Sequence, residues 1–258
     1  MNIHPGFRKH APIVIGTVAL ALASAPGLGQ EFEVDRLYFE LNDTDGDLGI
    51  NGVIDGDEWK SLEIEGPGDQ PLLNVWLRGK LRRQGLTEIF FESAEPPFDE
   101  LSPSAFFNRF QEGRYEISAV TLDDQEIEAI SRVSHVMGAR PGHITVNGLA
   151  AAADCDAELP VVTAPVTVDW NPVTHSHPTI GTPNVSVNVE QYELIAEIER
   201  ENRTPELLSF GVILPRSVTS FRIPTAFTNL SDGEVKYEII VKLDNGNQTA
   251  VESCFEVE

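Results

Sequence analysis

Short runs of alternating or β-branched and aromatic residues, separated by Gly, Pro, Asn and Asp, recur along this chain from about residue 31 to its end. A side-chain period of two suits a half-buried strand and does not suit a helix, whose apolar stripe repeats every 3.6 residues. The second half reads as seven such runs: "ELPVVT", "VTVDWNPVT", "EQYELIAEIE", "LLSFGVILP", "SFRIPTAF", "VKYEIIVKL" and "TAVESCFEV". Many short strands between turn residues predict a β-sandwich, with Trp170 and Tyr237 placed to supply its core indole and phenol.

The first half continues the pattern. "EFEVDRLYFEL", "WKSLEIE", "GLTEIFFES" and a hairpin of "GRYEISAVTL" with "EIEAISRVSHVM" are expected strands. "LLNVWLRGKLRR" places Val75, Leu77, Gly79 and Leu81 on one face and Trp76, Arg78, Lys80 and Arg82 on the other, which predicts a strand with a basic outer stripe. One helix interrupts: in "DELSPSAFFNRFQEG", Ser102 caps, Pro103 fits the first turn, Phe106, Phe107 and Phe110 form the apolar stripe, and Gly113 stops it. The Gly, Pro and Ala of residues 138–160 mark a junction, so the expected division is a domain over residues 30–150 and a second over 151–258. Residues 171–188 read as a long loop.

Ahead of these lie Arg8, Lys9 and His10, an uncharged apolar run from Ala11 to Ala23, and small residues to Gly29. This is the plan of a secretory signal peptide over residues 1–29, and the run is too short to span a bilayer as a helix. Export makes a Cys155–Cys254 disulfide the favoured reading over two buried thiols. The formal charge is −23, and residues 30–150 carry 24 acids against 10 bases while residues 151–258 carry 17 against 6. Two acidic halves argue against nucleic acid and anionic membrane as partners, because both require a basic face.

"VTVDWNPV", "YELIAEIE", "ILPRSVTSFRIP" and "GEVKYEIIVKLDNGNQTAVESCFEV" together resemble a fibronectin type III domain over about residues 158–258. The resemblance implies a sandwich of about seven strands that serves adhesion, spacing or partner binding, and it brings no catalytic residues. The long Pro-rich connection after Trp170 and the cysteine pair depart from that pattern. The first half, with "TDGDLG", "RRQGLTEIFFESAEPPF" and "YEI", is similar to uncharacterised secreted bacterial proteins, a likeness that implies no activity.

The stretch "LNDTDGDLGINGVIDGDEW" is the densest acidic feature. Asp43, Asp45 and Asp47 match the first, third and fifth positions of an EF-hand loop, but Leu48 stands where Gly is required and Ile54 where a bidentate Glu is required. Two readings remain: a calcium loop of another kind drawing on Asp43, Asp45, Asp47, Asp55 and Asp57, or two plain "DGD" turns at the ends of a strand, which is the simpler. "THSHP" sets His175 and His177 two apart, a spacing used for zinc or copper, yet no third ligand is evident and a solvated loop is the plainer reading. Arg78, Lys80, Arg82 and Arg83 are expected to pair with neighbouring carboxylates; the functional version is contact with an anion, a sulfated glycan or a second acidic copy. No G-x-S-x-G elbow or phosphate-binding glycine loop occurs.

The sequence therefore predicts an all-β exported protein of two sandwich domains, acting as a non-enzymatic binding, adhesion or matrix module toward a protein or glycan. The alternative is a secreted carbohydrate-active or other hydrolase using paired carboxylates in the first domain. Self-association through a sheet edge is a third possibility.

Overall fold

The computed structural model describes residues 31–200 and 204–258, so the leader expected over residues 1–29 lies outside the described residues. The protein is all-β with three short helices among the described residues. The first half holds β1 (Phe32–Asn42), β2 (Asp47–Gly66), β3 (Gln70–Trp76), α1 (Leu81–Gln84), β4 (Leu86–Glu92), α2 (Pro103–Arg109), β5 (Gly113–Thr121) and β6 (Glu126–Val133). The second holds β7 (Thr145–Val146), β8 (Leu149–Ala150), β9 (Val161–Val162), β10 (Thr167–Asp169), β11 (Val189–Glu199), β12 (Leu207–Pro215), β13 (Ser220–Arg222), α3 (Thr225–Thr228), β14 (Glu234–Leu243) and β15 (Gln248–Val257).

The 20-residue β2 organises the first half. Its beginning lies between β1 and β4, and its end between β3 and β5. Register shifts between Asp55 and Trp59, and again between Trp59 and Ser61, reset the alternation. Ile50 and Ile54, then Trp59, then Leu62 and Ile64 can therefore all face one core, although Trp59 is out of step with its neighbours. α2 closes that core with Phe106 and Phe107, and the Ser102 hydroxyl accepts from the Ala105 N–H at 3.4 Å as the cap. Phe39 meets Phe106 and Phe107 edge-on at 5.4 and 5.5 Å.

The second core is built by alternation on β11 (Tyr192, Leu194, Ala196, Ile198) against alternation on β14 (Val235, Tyr237, Ile239, Val241, Leu243), with Val168 and Trp170 opposite. Trp170 and Tyr237 are both buried there, and Trp170 lies edge-on to Tyr192 at 5.5 Å. A separate sheet in the order β13-β10-β7-β8 covers this core.

The two halves share a sheet. Its path runs β12-β11-β14-β15-β1-β2-β5-β6, because β1 pairs in parallel with β15 through Glu40 with Gln248, Leu41 with Thr249 and Asn42 with Ala250. The buried Asn247 locks the seam: its Oδ1 accepts from the Phe39 N–H at 2.9 Å, while its Nδ2 donates to the carbonyls of Ser134 at 2.7 Å and Val136 at 3.0 Å. Met137 and Ile180 pack into the first core from the connecting segments. Gly181 (φ +71°) makes the close approach there, since a Cβ would overlap the His135 carbonyl oxygen. Cys155 and Cys254 are bridged. No helix among the described residues is long and apolar enough to cross a membrane.

Three local expectations change. The strand expected through Arg83 ends at Trp76; Gly79, with φ +62°, turns the chain and residues 81–84 coil into α1, because β2 offers pairing only as far as Ser61 on that edge. The second "DGD", Asp55-Gly56-Asp57, is part of β2 instead of a turn, and Gly56 lies so close to the Glu31 carbonyl that a Cβ would meet it at 2.6 Å. "SFRIPTAF" supplies only the three residues of β13 before Pro224 leads into α3.

Candidate functional site

The acidic stretch is split by the length of β2. Asp43, Asp45 and Asp47 share the β1–β2 turn. Asp55 lies eight residues further along the extended strand, roughly 26 Å at ~3.3 Å per residue, and Asp57 is beyond it. Within the turn the side chain of Asn42 does the closing: its Oδ1 accepts from the N–H groups of Thr44 (3.1 Å) and Asp45 (3.2 Å), and its Nδ2 donates to Asp45 Oδ2 (3.1 Å). Gly46, at φ +72°, completes the bend. At the far end, Asp57 Oδ2 accepts from the Glu31 N–H at 3.1 Å.

Asp43 faces the second half of the chain. Its Oδ1 accepts from His177 Nε2 at 3.0 Å and its Oδ2 from Arg140 at 3.1 Å. His177 Nδ1 accepts from the Ile180 N–H at 2.9 Å, so Nε2 carries the proton that is given to Asp43. The hydrogen bond from His177, followed by the Arg140 charge, holds the Asp43 carboxyl below the ordinary carboxylate range. His177 is thus a buried clasp between the halves, while its neighbour His175 is exposed and bonded through Nδ1 to the Thr174 hydroxyl at 2.9 Å. The pair does not converge on a common point.

Asp47 opens onto a different feature, a face of carboxylates spread over β14, β15, β1 and β2. Glu238 is opposite Glu252 across β14–β15, and Glu40 on β1 is opposite Gln248 on β15. The segment after β4 folds back, with the Phe98 N–H donating to the Gly46 carbonyl at 2.9 Å, and lays the Glu95 carboxyl over Gly49, where a Cβ would overlap Oε1. Burial, then the charges of Asp47 and Glu92, push the Glu95 carboxyl up to about 7. Burial, then Glu40 and Glu252, push Glu238 up to about 7. Burial, then Asp45 and Glu252, push Asp47 up to about 6, and Glu40 is raised by burial and then by Glu92. Ion pairs from Lys236 to Glu252 and from Lys242 to Glu193, both 2.6 Å, flank the face.

These groups set the pH dependence of stability. A carboxyl raised from about 4.5 to about 7 makes the folded state bind more protons than the unfolded one in that window, so stability falls as pH rises through it, and the penalty is complete above 7. Asp43 acts oppositely: its contribution is present above the unfolded value and is lost as pH falls through its lowered folded value. The melting temperature is therefore expected to be higher at about pH 5 than at about pH 7.5. Glu238→Gln should stabilise the protein at the higher pH by on the order of 2 kcal/mol after allowance for solvent screening, and change little at the lower. Thermal unfolding of both proteins at the two pH values checks this; a wild type more stable at 7.5, with no gain from the variant, contradicts it.

Sequence reading did not single out Glu40, Glu95, Glu238 or Glu252. Strand alternation marks Glu40, Glu238 and Glu252 as polar-facing and the parallel β1–β15 pairing assembles them, while Glu95 is brought over the face by the fold-back of the segment after β4. The carboxylates of the face are half-buried, with the segment carrying Glu95 laid over part of it, and among the described residues no three His, Cys, Asp or Glu side chains converge in a metal-holding group. A hollow of about 470 Å³ in the first half is lined by Gly66, Pro71, Asn108, Arg109 and Tyr115 among others, with no carboxylate in its wall. A second, of about 400 Å³ beside the disulfide, includes Glu197, Glu234 and Glu252 but none of the four raised carboxyls.

The basic residues also differ from expectation. Arg78, Lys80, Arg82 and Arg83 are all exposed, and among the described residues none forms an ion pair. Asp124, the acid whose carboxyl senses Arg82, is bonded to Lys60.

No protein-family model matches the sequence, and no curated protein does. Among solved structures, the chain is similar to a tetra-tandem repeat from the extending region of a large adhesion protein, with 11% identity over 87% of this chain and 50% of that one, at a TM-score of 0.26. It is similar to a chain from a 1.5-MDa bacterial ice-binding adhesin, with 13% identity over 87% and 65% at 0.22, and to the N-terminal eight Ig domains of Down Syndrome Cell Adhesion Molecule, with 12% identity over 87% and 24% at 0.19. The chain thus spans about half the length of the first of these.

Proposed function

We propose that this protein is an exported, non-enzymatic binding module of adhesion or matrix type, divided into residues 30–150 and a fibronectin type III-like sandwich over residues 151–258. The observation that carries the proposal is the shared sheet: pairing of β1 with β15, with Asn247 and the Asp43–His177 contact beside it, makes a stiff scaffold whose loops and faces are held in fixed relation. The Cys155–Cys254 bridge suits an oxidising compartment outside the cytosol.

A carbohydrate-active hydrolase of the common kind uses two carboxyls of different protonation beside a substrate groove. Glu95 and Glu238 have raised values, which is the observation favouring that alternative, but neither lines the hollow of about 470 Å³ or that of about 400 Å³. Calcium stiffening belongs to the proposal as well. Asp43 is committed to His177 and Arg140, and Asp55 and Asp57 are remote along β2, so a cation would draw on Asp45 and Asp47 at the turn, where burial and then the charges of Asp45 and Glu252 raise Asp47 and a cation would offset those charges.

The test is retention without turnover. The protein, with calcium or with chelator, is mixed with insoluble bacterial surface polymers and sedimented while the supernatant is assayed for released sugars and peptides. We expect retention, no release above background, and a melting temperature raised by millimolar calcium at about pH 7.5. Release that disappears in Glu95→Gln or Glu238→Gln would establish the hydrolase instead, and identical melting curves with calcium and chelator would remove calcium from the reading.

A further inference from the structure

The turn that ends β3 concentrates what the rest of the surface lacks. Residues 70–87 contain no acidic residue in a chain with 41, and four of its 18 lysines and arginines fall between positions 78 and 83. Trp76 is 69% exposed, Leu81 is 50% exposed, and Trp76 makes no ring contact among the described residues. Burial of a Trp is worth more than that of most side chains, and an indole left in water beside unpaired guanidinium groups is a surface without its complement.

The segment is nevertheless well anchored. The Leu77 side chain is buried in the first core and its N–H donates to the Lys60 carbonyl at 3.0 Å. Gly85, at φ +79°, is buried where a Cβ would meet the Glu58 Cβ at 2.8 Å. Between these two fixed points Gly79 turns in open space, with nothing within 4 Å of where a Cβ would stand.

We propose that the loop Trp76–Arg83 is a binding site for acidic polysaccharide, Trp76 stacking on a sugar ring while Arg78, Lys80, Arg82 and Arg83 take the carboxylate or sulfate groups of neighbouring sugars. This rests on the binding-module reading and names its ligand class. Guanidinium forks match carboxylate and sulfate oxygens, and aromatic faces accept the apolar face of a sugar. A membrane fits less well. An anionic plane would approach the whole molecule, whose charge is −23 even with these four cations counted, whereas a polymer strand leaves the loop beyond the ~8 Å screening length of physiological salt. A second copy meets the same repulsion between two acidic bodies.

Binding is tested on the full chain with polygalacturonate (carboxylate), dextran sulfate (sulfate) and neutral dextran, by affinity electrophoresis and by acrylamide quenching of tryptophan fluorescence. Trp59 and Trp170 are buried, so Trp76 is the indole that quenching reports. The expected result is binding to at least one acidic polymer and not to dextran, protection of Trp76, and weakening with added salt. Trp76→Ala should reduce affinity about tenfold, and Arg78→Glu with Arg82→Glu and Arg83→Glu should abolish binding at an unchanged melting temperature. The proposal is overturned by affinity within twofold of wild type in the triple variant, by binding that leaves Trp76 fully quenchable, or by no binding to either acidic polymer. Tighter binding to phosphatidylglycerol vesicles, or self-association lost in the triple variant, would assign the loop to a membrane or to a second copy and also overturn it. Retention on whole surface polymers by the triple variant would reject this loop while leaving the binding module intact.

Discussion

Asn247→Ala is expected to cost roughly 3–5 kcal/mol of unfolding free energy, far more than an ordinary loop substitution. The residue is fully buried at the β14–β15 turn and serves three main-chain groups that belong to other segments: the Phe39 N–H and the carbonyls of Ser134 and Val136. Alanine leaves the Phe39 N–H and the Ser134 carbonyl without this partner, while the Val136 carbonyl keeps the Asn245 Nδ2 donor at 3.0 Å; each buried unsatisfied polar group costs about 1–3 kcal/mol, and the lost side-chain packing adds to that. Asn247→Asp separates the contributions, since it keeps an acceptor for Phe39 but loses the donors and buries a charge; it should be at least as damaging. Urea unfolding measures both. A loss below about 1 kcal/mol for alanine would mean that the seam between the halves is held by strand pairing and packing alone.

Replacement of Cys155 and Cys254 together by alanine should cost a comparable amount. The bridge spans 99 residues, and closing a loop of about 100 residues removes denatured-state entropy worth about 4.7 kcal/mol in the chain-entropy model. For a chain of this size that corresponds to a fall of about 10–15 °C in melting temperature. The Ser253 hydroxyl donates to the Ala152 carbonyl at 3.0 Å and the Glu256 N–H to the Pro160 carbonyl at 3.0 Å, so the 152–160 segment stays attached to β15 in the folded state without the bridge. The variant is therefore expected to remain folded at 25 °C with native-like circular dichroism. A change of less than about 1 kcal/mol would show that the reduced chain is already compact when unfolded.

What was legible in advance was what is local. The inward-facing Tyr192, Leu194, Ala196 and Ile198 follow from a two-residue period, the β5–β6 hairpin from the short turn between its strands, and α2 from Ser102, Pro103 and its phenylalanines. The functional reading was harder because its parts are far apart in sequence. Asp43 and His177 are separated by 134 residues and Phe39 and Asn247 by 208. No period or spacing announces such a meeting; it depends on which free strand edge meets which.

The acidic stretch shows the division most clearly. Its composition determined that carboxylates would crowd around a Gly-rich turn, and the EF-hand mismatch at Leu48 and Ile54 was plain from the order of residues. Tertiary structure decided the rest: the second "DGD" became the bulged middle of β2, Asp43 was drawn to His177 and Arg140, and Asp47 joined a carboxylate face built from both halves. Backbone pairing caused this. An extended strand separates residues only eight apart by roughly 26 Å at ~3.3 Å per residue, while the parallel β1–β15 ladder brings Glu40 to Gln248 from opposite halves of the chain.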